Sequence, residues 1–390
     1  MPIPAADGLS SFDVVNANHV DLSDVLSSVL LSDAFLLGLV PFGGMATQTQ
    51  HYWPEDQLNN NYVTQDAADA AANPLDLLGA DTDIVLASAA EARLVRIGTL
   101  LKSTRIGAQE ILQVTAIAGT TLTVTRAYGS SVLELHAAPF VYRIVGKPAQ
   151  ENSKDVADLS RDRTVENNIC EIFKTEVELS NTAMAINQAG VPNELQHQLT
   201  YRTLEIKREL AISLYHSVKS ASAGSDSALR TMGGIREFLS QVGGNVVPRT
   251  GAPSALDAAR VNALFRLAWN KGAEPSVGVG PADQILKFAT MNQDFVRYAP
   301  SDRMRGLFVE RFLTNLGHEI ELHIDRWMQD GEFMIIDPKR MKLMPLKGRN
   351  WQLQPLAKVG DGQRALMVGE FTLEVRNAKE AHAIDLDLSA

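Results

Sequence analysis

A single cysteine, Cys170, stands in 390 residues. It excludes an intrachain disulfide and, having no CxxC partner, a thiolate metal site. Its expected place is that of a small buried apolar residue in a protein folded under reducing conditions. Cations are missing from the N-terminal region: no Lys or Arg precedes Arg93, while Asp7, Asp13 and Asp21 begin a recurring set of acids. Nucleic-acid binding through such an arm is excluded, because cations are needed to displace the counterions of phosphates. Long apolar runs are absent too. The most apolar stretch, Leu22 to Val40, is broken by Asp24, Asp33 and several serines and follows no basic segment, which excludes a membrane span and a signal peptide.

What is present is the composition of a soluble globular protein, 45% apolar and 21% charged. The 390 residues exceed the roughly 250–300 at which one hydrophobic core stops growing, so two or more lobes are expected. Net charge is -10, and the cations gather late, at Arg297, Arg303, Arg305 and Arg311 and again from Lys339 to Arg349. One half of the chain can therefore attract the other half of a neighbouring copy.

Periodicity divides the chain. Leu22, Val25, Leu26, Val29 and Leu30 follow helical spacing, with Ser32 or Asp33 able to cap a second short turn before "VPFGG". A short apolar helix cannot bury its stripe alone. The stretch "QDAADAAANP", Gln65 to Pro74, reads as a linker or extended loop. Then the period changes to two: Leu112, Val114, Leu122 and Val124 alternate with threonines around Ala118-Gly119, a β-hairpin inside a small all-β unit from about Ile84 to Gly146. Asn193 is an expected N-cap, with Gln196 three residues on, for a helix striped by Leu195, Leu199, Ile206, Leu210 and Leu214. Running to Val218 it would be roughly 40 Å long, a rod lying across a sheet. A helix from Ala255 to Trp269, an apolar strand "SVGVG", a Pro-initiated helix and strands at Ile320–Ile324 and Phe333–Ile336 follow. In the last strand Phe371, Leu373 and Val375 face one way and Thr372, Glu374 and Arg376 the other, which predicts half burial. The class is mixed α+β.

Two motifs bear on chemistry. "HEIELH" places His318 and His323 five apart, whereas one zinc ion on a helix face needs two histidines four apart. On a strand, an odd spacing sends the two rings to opposite faces, and the alternation of Ile320, Leu322 and Ile324 predicts a strand. "GVGPAD", Gly278 to Asp283, follows a strand and precedes a helix, yet it lacks a third glycine and any Gly-Lys-Ser/Thr. It reads as a turn with Pro281 at the first helical position. No G-x-S-x-G elbow occurs, and no histidine stands in a recognisable pattern with a nucleophile. No catalytic, cofactor-binding or metal-binding residue is assigned, and no cofactor is expected.

Several stretches, in order, resemble one family: "HYWPEDQL", "VTAIAGTTLTVTRAYG" with "HAAPFVYRIVG", "DRTVENNICEIFKTEVELSNTAMAINQAG" leading into "ELQHQLTYRTLEIKRELAISLYHS", "ALRTMGGIREFL", and "PLAKVGDGQRALMVGEFTLEVRNAKEAHA". They are similar to the major head proteins of tailed bacteriophages related to phage SU ten. The resemblance implies the Hong Kong 97-type phage capsid fold: an N-terminal arm (1–50), an extended loop (51–155) with a small all-β insertion (84–146), a peripheral domain (156–230) with a spine helix (193–219), an axial domain (231–345), and C-terminal strands (346–390) returning to the peripheral domain. It implies a non-catalytic subunit that self-assembles through hexamers and pentamers into an icosahedral head. That head would be built in the bacterial cytoplasm and enclose double-stranded DNA without sequence-specific binding. Portal, scaffold and decoration proteins are the implied partners, and no membrane is. No motif places a covalent Lys–Asn link, so none is expected, and Met1 at the start sets the expectation that no N-terminal segment is removed. The alternatives are a virion accessory protein binding a host glycan or capsid surface through its β insertion, and a metal-assisted hydrolase using "HEIELH".

Overall fold

The computed structural model describes residues 35–389 apart from 73–74, 76–78, 80, 137–140, 150, 152–159, 161, 187–192, 223, 226–227, 249–252, 292–310 and 359. The expected helix at Leu22–Leu30 and the cations Arg297, Arg303 and Arg305 lie outside the described residues. Two compact units divide the chain, Met1–Trp53 with Val165–Ala390, and Pro54–Thr164.

β1 (Gln50–Glu55) leads into the smaller unit, which holds β2 (Tyr62–Thr64), β3 (Asp83–Val85), β4 (Leu100–Ser103), β5 (Ile111–Ala118), β6 (Thr121–Thr125) and β7 (Val141–Gly146). The chain leaves it through β8 (Thr164–Ile169), which pairs with β1. All pairings in the order β2-β7-β4-β5-β6-β3 are antiparallel. The two end strands then meet: Gln65 bridges Leu86, the Asp66 amide donates to the Val85 carbonyl at 2.8 Å and the Ala87 amide to the Thr64 carbonyl at 2.9 Å. The sheet thus closes into a barrel with no free edge. Alternation puts Val63, Leu101, Leu112, Val114, Leu122 and Tyr142 inside, all fully buried. Gly119, at φ 65°, supplies the left-handed residue of the β5–β6 turn.

The linker expected at Gln65–Pro74 is corrected here. Ala67–Ala72 is a helix, in keeping with alanine's high helix propensity. The Asp66 carboxylate caps it by accepting from the Ala68 and Asp69 amides at 2.9 and 3.1 Å. The Asp69 carboxylate in turn accepts from the Val85 amide at 3.0 Å, which ties the helix to the seam of the barrel. The sheet also begins upstream of Ile84, at Tyr62, because β2 is too short for its period to register in the sequence.

In the larger unit β9 (Glu171–Ser180) precedes a helix at Glu194–His216, whose N-cap Asn193 accepts from the Gln196 amide at 3.1 Å. At 23 residues the helix is about 35 Å long. Its second half is anchored by buried Ile206, Leu210 and Leu214, while Leu195 and Leu199 in the first half stay half-buried. Next come β10 (Val246–Val247), a helix at Ala258–Asn270, β11 (Val277–Gly280), a helix at Ala282–Met291, β12 (Arg311–Leu313), β13 (Glu319–Ile324) and β14 (Phe333–Ile336). The chain closes with β15 (Met341–Pro345), β16 (Gln352–Pro355), β17 (Gly362–Val375) and β18 (Ala383–Asp385).

β10-β18-β14-β11-β13-β12 form a mixed six-stranded sheet buried on both faces. Ile320, Leu322, Phe333 and Ile335 pack under Val261, Phe265, Ile285 and Phe288 of the two helices. From the opposite face Val277, Val279, Met334 and Ile336 join the main core with Ile206, Leu210 and Leu214. β17 pairs with β9 along one side and with β16 and then β15 along the other. The half burial expected for this last strand is corrected: every residue from Val368 to Val375 is buried, since both faces of its C-terminal half are covered.

A glycine on β11 measures how tightly the six-stranded sheet is packed. A Cβ at Gly278 would lie 2.9 Å from Phe333 Cζ and 3.0 Å from Leu322 Cδ2. Gly278→Ala is expected to cost about 1–3 kcal/mol by overpacking, with most of it recovered when Phe333→Leu is added. The urea midpoint of the unassembled chain, read at unchanged slope, checks this; a neutral Gly278→Ala would show that packing does not require the glycine.

Candidate functional site

"HEIELH" lies on β13, as the apolar alternation predicts. Ile320 and Leu322 point into the helix-covered core, whereas His323, in register with Val279, stacks on Phe35 at 4.6 Å on the other face. His318 packs against Phe265 at 5.4 Å. The two imidazoles therefore face apart and cannot share one ion. Among the described residues no group of three His, Cys, Asp or Glu is placed to hold a metal.

"GVGPAD" is a packing device. Besides Gly278, a Cβ at Gly280 would lie 3.0 Å from Phe333 Cδ2, so both glycines make room for one aromatic ring. The helix that follows is occupied at its first turns by the chain's own C-terminal segment: Gln284 Nε2 and Lys287 Nζ donate to the Ser389 carbonyl at 2.8 and 2.5 Å. Cys170 is buried, and burial pushes its thiol up to about 11. At that value it is a neutral side chain, not a nucleophile.

The polar residues with the most unusual surroundings are buried carboxylates, and each is consumed by the scaffold. In the barrel, fully buried Glu110 accepts from Arg126 Nε and Nη2 at 2.7 and 2.9 Å, from the Ala127 and Glu134 amides at 3.0 and 2.9 Å, and bonds His136 Nε2 at 3.0 Å. Burial alone would raise its pKa, but these donors, Arg126 foremost, hold it below the usual carboxylate value. Burial pushes His136 down, against the pull of Glu110. A neutral His136 donating from Nε2 leaves Nδ1 to face the Tyr142 hydroxyl at 3.3 Å.

In the larger unit Glu370 is held by Arg230 at 2.6 Å and Arg349 at 2.7 Å. Glu374 is bonded by His51 at 2.9 Å and by Arg376. Glu332 takes the Tyr215 hydroxyl and Arg236, and Asp385 takes Arg260 at 2.5 Å. His382 is almost wholly buried, which pushes it down to about 4, and its Nδ1 accepts from the Asp337 amide at 3.1 Å. These groups pin distant segments together and present no base to a bound substrate. Sequence reasoning assigned none of them, because each has at least one partner far off in the chain: 140 residues separate Arg230 from Glu370.

The exposed surface also carries large apolar side chains among its charges. Ile106 is 100% exposed, Val242 98% and Leu229 92%, and the start of the long helix is only half-covered. Its buried carboxylates serve the protein's own frame, while large apolar side chains stay exposed, which suits contact with other molecules.

Solved capsid structures share this architecture. The capsid asymmetric unit of cyanophage A-1(L) superposes with a TM-score of 0.52 at 12% identity, covering 98% of this chain and 100% of the other. A structure from Microbacterium phage Oxtober96 gives 0.51 at 12% identity, covering 96% and 98%. The fold is thus that of phage capsids, the Hong Kong 97-type. No curated protein sequence matches the chain. The family described as SU10 major capsid protein matches residues 9–389, and the chain belongs to it. It is a major capsid protein, a structural and non-catalytic component of the virion that forms the head shell of a tailed phage.

The Glu110 cluster predicts acid lability of the barrel. Both Glu110 and His136 have folded pKa values below their ordinary 4.5 and 6.5, so the unfolded chain binds protons more tightly. Their contribution is complete above pH 6.5, falls first as His136 becomes charged and then as Glu110 is protonated. Thermal melting of the full chain across this range should show the barrel transition dropping. Glu110→Gln, which leaves Arg126 buried without its anion, should cost about 3–5 kcal/mol at neutral pH. A barrel transition that does not move with pH would refute the sign.

Proposed function

We propose that this subunit builds an icosahedral head from hexamers and pentamers and that the head encloses double-stranded DNA. The observation that carries the reading is the long helix Glu194–His216, whose apolar stripe is dry at Ile206, Leu210 and Leu214 and only half-covered at Leu195 and Leu199. A stripe that one copy leaves half wet is completed by a neighbour. In this reading the helix is the spine of a peripheral domain that also includes the β9–β17 sheet. The six-stranded sheet with its two covering helices is the axial domain, the barrel is an insertion in the extended loop, and residues 1–50 are the N-terminal arm. Head-to-tail contacts repeat around each capsomer. Each is weak alone, yet a copy held by several neighbours is held collectively, and a wrong contact can dissociate.

Portal, scaffold and decoration proteins are the proposed partners. The net charge of -10 supports an inner wall that does not grip the packaged DNA. Overexpression of the chain alone, viewed by electron microscopy, is expected to give shells or tubes, and the unassembled subunit is expected not to bind duplex DNA at physiological salt. A compact monomer indifferent to concentration would overturn the reading.

A further inference from the structure

The barrel has a charge polarity that its own packing does not use. Lys102 on β4 and Arg143 on β7 stand directly opposite each other across an antiparallel ladder. Both lie on the outer surface, since Leu101, Ser103, Tyr142 and Ile144 beside them point inward. Like charges opposed in this way weaken a sheet. The described ion pairs of this unit engage Arg126, His136 and Arg163 and include neither cation. Arg143 is instead held over the Tyr62 ring at 5.2 Å and donates to its hydroxyl at 2.8 Å, which fixes the guanidinium on the surface. Val141 and Val145, on the same outer face of β7, are 38% and 52% exposed.

Three strands round the barrel from β4, past β5 and β6, the outer face of β3 carries the opposite sign. Asp83 is exposed there, in register with the neutral Thr123, and exposed Asp81 precedes it. Neither takes part in the unit's described ion pairs. Because the ladder closes, the two faces look in opposite directions and cannot neutralise each other within one copy.

We propose that the Lys102–Arg143 face of one barrel docks on the Asp81–Asp83 face of the barrel of a second copy of this chain. Complementary charge on the same module names the occupant. The contact joins two different faces, so it repeats head to tail and closes into rings or continues over a surface. The apolar flanks Val141 and Val145 lose water there, which strengthens the ion pairs they surround. The inference rests on the shell-forming function, which supplies the neighbouring copies.

Charge exchange tests it. The fraction of chain sedimenting as particles at about 0.15 M salt is measured for Lys102→Glu/Arg143→Glu, for Asp81→Lys/Asp83→Lys, and for the chain carrying all four substitutions. Each pair is expected to lower that fraction about tenfold or more, since it sets like charges face to face, with circular dichroism and barrel melting unchanged. The fourfold chain is expected to regain most of the assembly. Should a reversal variant fail to fold, Lys102→Gln/Arg143→Gln, which keeps side-chain length, replaces it and is expected to show a loss in the same direction. Reversal variants that assemble like the unchanged chain overturn the docking contact, whether an acidic partner of other sequence or nothing covers the face, and leave the shell function standing. A fourfold chain no better than the pairs overturns it as well. Failure of the unchanged chain to form particles would instead count against the shell function.

Discussion

The larger unit depends on one strand. β17 is hydrogen-bonded to β9 on one side from Gly362 to Phe371 and to β16 and β15 on the other, and its residues from Val368 onward are buried on both faces. A strand so enclosed cannot carry an unpaired charge, because a carboxylate taken from water without a partner costs several kcal/mol. Glu370 and Glu374 nevertheless sit in it, and the structure around them is arranged to supply cations. Arg230 comes from the loop after the long helix, Arg349 from the β15–β16 connection, Arg376 from the end of β17 and His51 from β1. Each carboxylate gathers segments that are remote in sequence.

The same logic runs through the rest of the frame. Asn168 donates from Nδ2 to the Gly233 and Leu373 carbonyls at 3.0 and 2.7 Å and accepts from the Gly233 amide at 2.7 Å, so one side chain joins β8, β17 and the loop before Ile235. Arg260 reaches Asp385 on β18 from the Ala258–Asn270 helix. Buried pairs of this kind add little net stability over well-packed apolar residues, but removing one partner is costly, so their effect is to select one arrangement of segments. For a shell subunit that is the useful property, because the geometry of its outer surfaces is set by a frame held in one arrangement.

What could be read from the sequence was whatever depends on local period. The helix cap at Asn193 and the alternation of β13 follow from spacings of two to four residues and appear where the spacing puts them, while Pro281 stands one residue before the helix it was expected to begin. The misplacement of the two histidines of "HEIELH" followed from the same counting. Three features were hidden because they depend on partners far away. Gln65–Ala72 reads as a linker until the closing bridge to Leu86 gives it a surface to pack on. Thr372 and Glu374 read as solvent-facing until both sides of β17 are covered. The Glu110 cluster stayed invisible because two of its donors are backbone amides, which every sequence carries.

A protein that works by associating with itself must also keep from associating in unintended ways, and exposed strand edges are the most general hazard. The six-stranded sheet ends in β10 and β12, strands of two and three residues, too short to template a long ladder. β9, paired on one side only among the described residues, is the longest remaining edge, and its outward row is Ile172, Lys174, Glu176 and Glu178, with Arg364 of β17 ion-paired to both acids. Such charges make the addition of a foreign strand unfavourable. The barrel solves the problem outright, since closing the seam at Gln65 and Leu86 leaves no edge at all. Along β9, β10 and β12, and around the barrel, the edges on which a foreign strand could add are thus charged, short or closed.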